Sequence, residues 1–370
     1  MQTARKTALT VLDRCFRDGA WSVQVLDGFL NDMDKREGAL ASRLAIGVLQ
    51  NYALLDWQIE ACLTGKKKLD LTVRNILRLG VYQLAFSDRI PARDAVNESV
   101  ELCRKSGYSS ACGLVNAVLR KLSSAELKMP EDLSVKYSHP QWFVDRMLCR
   151  HGTEFTEALL AADNTEPPLE THTAFAGDEF YVQDAAAWSA VAMAAPQPGM
   201  KVLDTCSAPG GKSFTAAVLM QNRGSITACD IHEKKLSLIE AGSKRLGIEI
   251  ISTRCADARV KIEEFSEAFD LVIADVPCSG FGVIRKKPEI RFKKKEEIAG
   301  LPAIQKAILE NVSAYVAPGG KLLYSTCTVF EEENEQISHS LEGFEILSEK
   351  TFWPHIDHTD GFYACVLRKS

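Results

Sequence analysis

The hydrophobic period changes near Gly199, and that change demands two kinds of architecture from one chain. Before it, apolar residues recur at helical spacing, in Ala8, Leu9, Leu12 and Phe16, in Leu40, Leu44, Ile46, Val48 and Leu49, and in Leu71, Ile76, Leu77, Leu79 and Leu84. A further helix begins with Asp94, Val96 and Val100 after Pro91, and another carries Leu114, Val115, Val118 and Leu119. Residues 1–125 therefore read as an all-helical domain of about six helices. Residues 126–180 read as a helical connector, with one helix opened by Pro140 and one ending before Asp163-Asn164. From 181 to 370, short β-rich runs (201–205, 225–229, 250–253, 270–274, 320–325, 343–347, 362–367) alternate with helical stretches such as 233–246 and 302–316. That alternation predicts a parallel or mostly parallel sheet with crossover helices, a doubly wound Rossmann-like domain.

Charge and cysteine usage narrow the class. Residues 1–125 hold 18 Lys+Arg against 13 Asp+Glu, while the rest of the chain is acidic, so the net charge of -5 conceals a basic front. A polyanion partner is compatible with that front but not demanded by it. Eleven cysteines without CxxC pairs or an apolar leader point to reduced thiols in a cytoplasmic protein. No His/Cys spacing suits zinc, so no metal is expected, and no run of 18 apolar residues suits a membrane span.

In doubly wound sheets ligands bind beyond the carboxyl ends of the strands. Those positions here are Asp204 with the loop Cys206, Ser207, Ala208, Pro209, Gly210, Gly211 and Lys212; Asp230; Asp257; Asp275 with Pro277 and Cys278; and Thr326 with Cys327. Glycines allow close backbone approach, and an acid after the second strand can accept both hydroxyls of a ribose. Taken singly, Asp230 or Asp257 is also an ordinary cap or turn former. Gly211-Lys212-Ser213 is not a P-loop, because the required first glycine would stand at Cys206. G-x-G-x-x-G is absent from this turn too, which leaves a nucleoside cofactor without a pyrophosphate.

The stretch Asp204 to Lys212 resembles the cofactor loop of the RNA cytosine-5 methyltransferases, the Nol1/Nop2/Sun family. Asp275-Val276-Pro277-Cys278-Ser279-Gly280 followed by Gly282-Val283-Ile284-Arg285 resembles their fourth motif. Ser325-Thr326-Cys327-Thr328 with Glu331-Glu332-Glu333-Asn334 resembles their sixth, and Asp360-Gly361-Phe362-Tyr363 is similar to their closing strand. At the front, Ala95 to Val100 and Val115 to Arg120 look like the antitermination-factor-like helical domain of the bacterial Sun type, whose substrate is small-subunit (16S) ribosomal RNA. The resemblance implies that Cys206 to Lys212 and Asp230 hold S-adenosyl-L-methionine, that Asp257 approaches its adenine, and that Asp275 lies between cofactor and base. It further implies that Cys327 adds to C6 of a cytosine in ribosomal RNA while Cys278 assists proton removal or enzyme release. A monomer without an obligate protein partner is expected. The same chemistry on transfer RNA, or an inactive RNA-binding assembly factor, are the competing readings; retention of both cysteines argues against the second.

The chemistry itself asks for such residues. Cytosine C5 is a poor nucleophile until a thiolate adds at C6, and cysteine is the side chain with a useful thiolate fraction near neutral pH. Without the paired motifs, each cysteine reads equally as a small buried hydrophobe. The strongest local charge feature is the run Arg285, Lys286, Lys287, Arg291, Lys293, Lys294 and Lys295, broken by Glu289. A solvated face is the default for such a run, yet its place just after Cys278 makes it a candidate grip on RNA phosphates. Lys66, Lys67 and Lys68 form a weaker candidate. Two segments are short for the family: from Pro167-Pro168-Leu169 to Tyr181-Val182-Gln183-Asp184, where an RNA-recognition-like subdomain is expected, and between Asn334 and Asp360.

Overall fold

The computed structural model describes residues 3–63, 69–125, 128–166, 171–173 and 180–370. Lys66, Lys67, Lys68 and the Pro167 to Leu169 stretch lie outside them. The chain divides into two compact units, residues 1–165 with 284–293, and residues 166–283 with 294–370.

The first unit is helical: α1 (Ala4–Asp18), α2 (Ser22–Leu30), α3 (Lys35–Gln50), α4 (Tyr52–Glu60), α5 (Leu71–Phe86), α6 (Ala92–Lys105), α7 (Cys112–Ser123), α8 (Leu133–Lys136) and α9 (Gln141–Ala162). Thr3, Asp34, Asp70 and Asp132 cap α1, α3, α5 and α8 by accepting backbone N–H bonds. The core joins Leu9, Leu12, Leu44, Leu49, Ile76, Leu77, Val115 and Leu119, residues of the stripes expected from the sequence. Pro140 opens α9, and Gly152, at φ 79° and ψ 178°, breaks it into two helical stretches, which follow the short α8.

The second unit holds a short antiparallel pair, β1 (Thr171–Thr173) and β2 (Phe180–Val182), and a seven-stranded sheet. The sheet's strands are β3 (Lys201–Asp204), β4 (Ser225–Asp230), β5 (Ile251–Cys255), β6 (Phe269–Asp275), β7 (Val316–Thr326), β8 (Phe344–Phe352) and β9 (Phe362–Lys369). Their order is β5-β4-β3-β6-β7-β9-β8; β3 to β7 are mutually parallel, and β9 runs antiparallel to both its neighbours. Helices α10 (Ala185–Ala194), α11 (Gly211–Leu219), α12 (Glu233–Leu246), α13 (Lys295–Ile298) and α14 (Leu301–Ser313) accompany it. Two hydrophobic clusters contain alternate residues of the same strands: Val202, Leu271, Ile273 and Leu323 in one, Leu203, Val272, Ala274 and Leu322 in the other. Both faces of the sheet are therefore buried, as expected for strands that read as continuous apolar runs. The strand order reverses between β3 and β6, which opens a crevice at their carboxyl ends.

Candidate active site

A cavity of about 430 Å³ lies at that crevice, walled by residues that follow β3, β4, β5, β6 and β7. Thr205, Cys206 and Ala208 come from the first loop, Asp230, Ile231 and His232 from the second, and Ala256, Asp257 and Arg259 from the third. Asp275 to Cys278, Ile304 and Ile308 of α14, and Cys327 complete it. Of the strand-end positions picked from sequence, Cys206, Ala208, Asp230, Asp257, Asp275, Pro277, Cys278 and Cys327 line this cavity, and Asp204, Ser207, Pro209, Gly210, Gly211, Lys212 and Thr326 do not.

The first loop turns sharply so that its backbone can approach the cavity. Gly210 sits at φ 115°, and a Cβ there would meet the Phe214 ring at 2.6 Å, so only glycine fits. Ser207 turns away into the sheet, its hydroxyl donating to the Cys229 carbonyl at 2.8 Å. Pro209, Gly210 and Gly211 lead into α11, whose N-terminus presents backbone N–H groups. Asp204, behind the loop and fully buried, accepts from the Ser213 hydroxyl at 2.7 Å, while its other oxygen is buried without a hydrogen-bond partner. Burial pushes its carboxyl up to about 7.

Asp230 is fixed by two backbone donors, the N–H of His232 at 2.9 Å and of Ala208 at 3.3 Å. Asp257 pairs with Arg259 at 2.6 Å, and the hydrogen bonds from Arg259 hold its carboxyl below the usual range. Beside them Ile231, half exposed, with Ala258, Ile304 and Ile308, supplies apolar surface. Carboxylates together with a flat apolar slot suit a nucleoside carrying a diol and no pyrophosphate, so S-adenosylmethionine fits this donor set.

Lys212 does not enter the cavity wall. Its ammonium reaches Asp275 at 2.6 Å and lies 5.0 Å from the Phe362 ring centre. Burial alone would lower its pKa, but the Asp275 carboxylate, with Asp204 and Cys327, outweighs burial and raises it. The other Asp275 oxygen accepts from the Ser325 hydroxyl at 2.9 Å.

Strand register brings the two thiols together. β6 and β7 pair with Asp275 opposite Ser325, so the segments beyond them emerge side by side. Cys278 and Cys327 meet with their sulfurs 3.1 Å apart, both as free cysteines. The hydrogen bond with Cys327, then burial, and then the negative charge of Cys327, Glu333 and Asp275 raise the Cys278 thiol well above its ordinary value. The turns carrying the thiols are locked through the Ser279 and Thr328 hydroxyls at 2.7 Å, and through Gly282, whose N–H donates to the Cys327 carbonyl at 3.0 Å.

The basic run divides by burial, so its two arginines, contrary to expectation, are not available to RNA. Arg285 and Arg291 are 3% and 2% exposed, so they present no guanidinium to a phosphate. Residues 284–293 belong to the helical unit, where Gln50 donates to the Arg285 carbonyl at 3.1 Å. There Phe292 packs on Phe16 and Tyr52, and Arg291 donates to the Asp163 carbonyl at 3.2 Å and to Asn164. Lys286 and Lys293 are half-buried, and Lys287, Lys294 and Lys295 are exposed. A charge count sees residue type and not burial, which is why the run looked uniform.

Sequence reasoning left Gln305 and Glu333 without roles. Gln305, fully buried, donates to the Pro277 carbonyl at 3.0 Å and to Glu333 at 2.9 Å. The available signal was a glutamine on the α14 face that buries Ile308, Leu309 and Val312. Among the described residues no cluster of possible metal ligands occurs, and no helix is long and apolar enough to cross a membrane.

Comparison with known proteins agrees with both units. The family model described as 16S rRNA methyltransferase RsmB/F matches residues 191–368, and the NusB family model matches residues 2–124. The chain is 31% identical over 441 aligned positions to the probable ribosomal RNA small subunit methyltransferase B of Bacillus subtilis (strain 168), covering 99% of each protein. It is 30% identical over 448 positions to the Synechocystis protein of the same description, covering 100% of both. Alignments longer than the chain's 370 residues mean that these relatives carry segments this chain lacks. The crystal structure of PH0851 overlays with a TM-score of 0.76 over 98% of both chains at 22% identity, a likeness of fold. With relatives matching end to end and both units recognised, the chain belongs to the RsmB/F family of 16S rRNA methyltransferases and is an S-adenosylmethionine-dependent RNA (cytosine-5) methyltransferase.

Proposed function

We propose that this enzyme methylates C5 of one cytosine in 16S ribosomal RNA through a covalent bond between Cys327 and C6, as a Sun-type member of its family. The observation that carries the reading is the pair of unbridged cysteines whose sulfurs lie 3.1 Å apart on the wall of the strand-end cavity. The ribosomal substrate is supported by the description of its relatives as small-subunit methyltransferases.

S-adenosylmethionine, when bound, supplies an electrophilic methyl group. Asp230 would accept hydrogen bonds from the ribose hydroxyls, Asp257 would face the adenine, and of the first loop Cys206 and Ala208 would line the cofactor, while Ser207 and Lys212 serve the sheet and Asp275 instead. Cys327, as thiolate, forms the bond to C6, and the electron pair displaced from the C5–C6 double bond makes C5 nucleophilic. Asp275, oriented by Lys212 and Ser325, would hydrogen-bond to N3 as that nitrogen takes a proton from solvent, and the proton returns to solvent when the adduct breaks down. After C5 is methylated its proton must leave and the S–C6 bond must break. Cys278 gives its proton to the departing Cys327 sulfur and takes the C5 proton in return, so the electron pair of the C5–H bond restores the double bond. Lys286, Lys287, Lys293, Lys294 and Lys295 contact RNA phosphates, and the reacting base must be free of its stack to be reached.

Bisulfite sequencing of total RNA from a strain lacking this protein tests reaction and address together. One cytosine of 16S RNA is expected to lose protection and to regain it on complementation. Loss confined to a transfer RNA would overturn the ribosomal assignment.

A further inference from the structure

We propose that Glu333 is a positioning residue for Cys278, holding the turn that presents this thiol to Cys327. The proposal rests on the reading of Cys327 as nucleophile and Cys278 as its partner in release. Glu333 is 1% exposed, and its carboxylate accepts the Ser279 N–H at 2.8 Å and the Gln305 amide at 2.9 Å. The same Gln305 amide nitrogen donates to the Pro277 carbonyl at 3.0 Å. The residues on either side of Cys278 are therefore tied to one buried carboxylate, directly at Ser279 and through Gln305 at Pro277. Glu333 is itself fixed from β7, where the Tyr324 hydroxyl donates to its carbonyl at 2.6 Å.

Cys327, although linked to the Cys278 turn through Ser279 and Thr328, also has bonds that do not involve the Glu333 carboxylate. Asn334 accepts from the Thr326 hydroxyl and donates to the Thr328 carbonyl at 3.1 Å, bracketing that cysteine from both sides. Loosening Glu333 thus frees the Cys278 turn at Ser279 and Pro277 first, while Asn334 still brackets Cys327. A neutral side chain of the same length can supply the same acceptor, so reach is what the turn requires, the charge of Glu333 being a smaller influence on the Cys278 thiol than that thiol's hydrogen bond with Cys327 and its burial. Proton exchange between the thiols depends on their contact, so a small retreat of Cys278 impairs release before it impairs attack.

The test compares Glu333→Asp, which keeps the charge but withdraws the oxygen from Ser279, with Glu333→Gln, which keeps the reach. Each full-length variant is incubated with S-adenosylmethionine and unmodified 16S RNA transcript, beside the parent and Cys278→Ala, and scored on a denaturing gel. Glu333→Asp is expected to lose about tenfold to a hundredfold in turnover, the scale of one hydrogen bond to a charged acceptor, while accumulating covalent protein–RNA adduct. Glu333→Gln is expected to turn over like the parent without adduct. Gln305→Met, which removes the donor shared by Glu333 and Pro277, should also accumulate adduct and decides the matter if the aspartate variant does not fold. Parent-like behaviour in Glu333→Asp and Gln305→Met would overturn the proposal, as would adduct in Glu333→Gln but not in Glu333→Asp. Loss of both turnover and adduct in folded Glu333→Asp would overturn it too, by placing the defect at Cys327. If Cys278→Ala itself forms no adduct, the reading of the two thiols fails, and not the positioning by Glu333.

Discussion

Asp230 owes its orientation to two backbone N–H groups, of His232 and Ala208, which leave its carboxylate on the cavity wall. Replacing it with alanine removes a charged acceptor while the apolar slot around Ile231 stays. Cofactor affinity should fall about 10- to 150-fold, the equivalent of losing about 1.5 to 3 kcal/mol of charge-assisted hydrogen bonding. Titration calorimetry reads this directly, and unchanged affinity in Asp230→Ala would remove the residue from the cofactor site. The place of Asp230, Cys278 and Cys327 on the cavity wall was legible because each ends or follows a strand of the parallel sheet. Glu333 was visible as part of a motif but not as an anchor, since its contact with Ser279 spans 54 residues and no local pattern announces it.

Among the elements, the sheet was the most legible part. Strands buried on both faces read as continuous apolar runs, and each expected strand overlaps an observed one, with 233–246 coinciding with α12. Of the front helices, α2 and α4 were not singled out. Both are nine residues long, and α4 mixes Leu54, Leu55 and Ile59 with Trp57 on its outer side, too short a segment for a clear stripe. Where backbones meet, packing is tightest at Gly282: a Cβ there would lie 1.8 Å from the Gly361 carbonyl oxygen and 2.9 Å from that of Cys327. Gly282→Ala should destabilise the protein by about 3 kcal/mol or more, since backbone rather than a side chain would have to move. Urea unfolding measures it, and an unchanged midpoint would show that the loops holding Cys278 and Cys327 are not locked by this contact.

For the whole molecule, charge was the least legible property. The run from Arg285 to Lys295 mixes two buried arginines with the exposed Lys287, Lys294 and Lys295, and only burial separates them. Changing those three lysines to glutamine should flatten the salt dependence of RNA binding by about two units of slope, the release of counterions from three single-strand contacts. A slope equal to the parent's would make the lysines a solvated face. The account as a whole stands on the covalent step, which full-length Cys327→Ala and Cys278→Ala test with cofactor and unmodified 16S RNA on a denaturing gel. Cys327→Ala should give neither methyl transfer nor adduct, Cys278→Ala should accumulate a slow-migrating protein–RNA adduct, and the double variant should behave as Cys327→Ala does. Adduct in Cys327→Ala with none in Cys278→Ala would reverse the two roles, and full turnover in both would contradict the covalent mechanism.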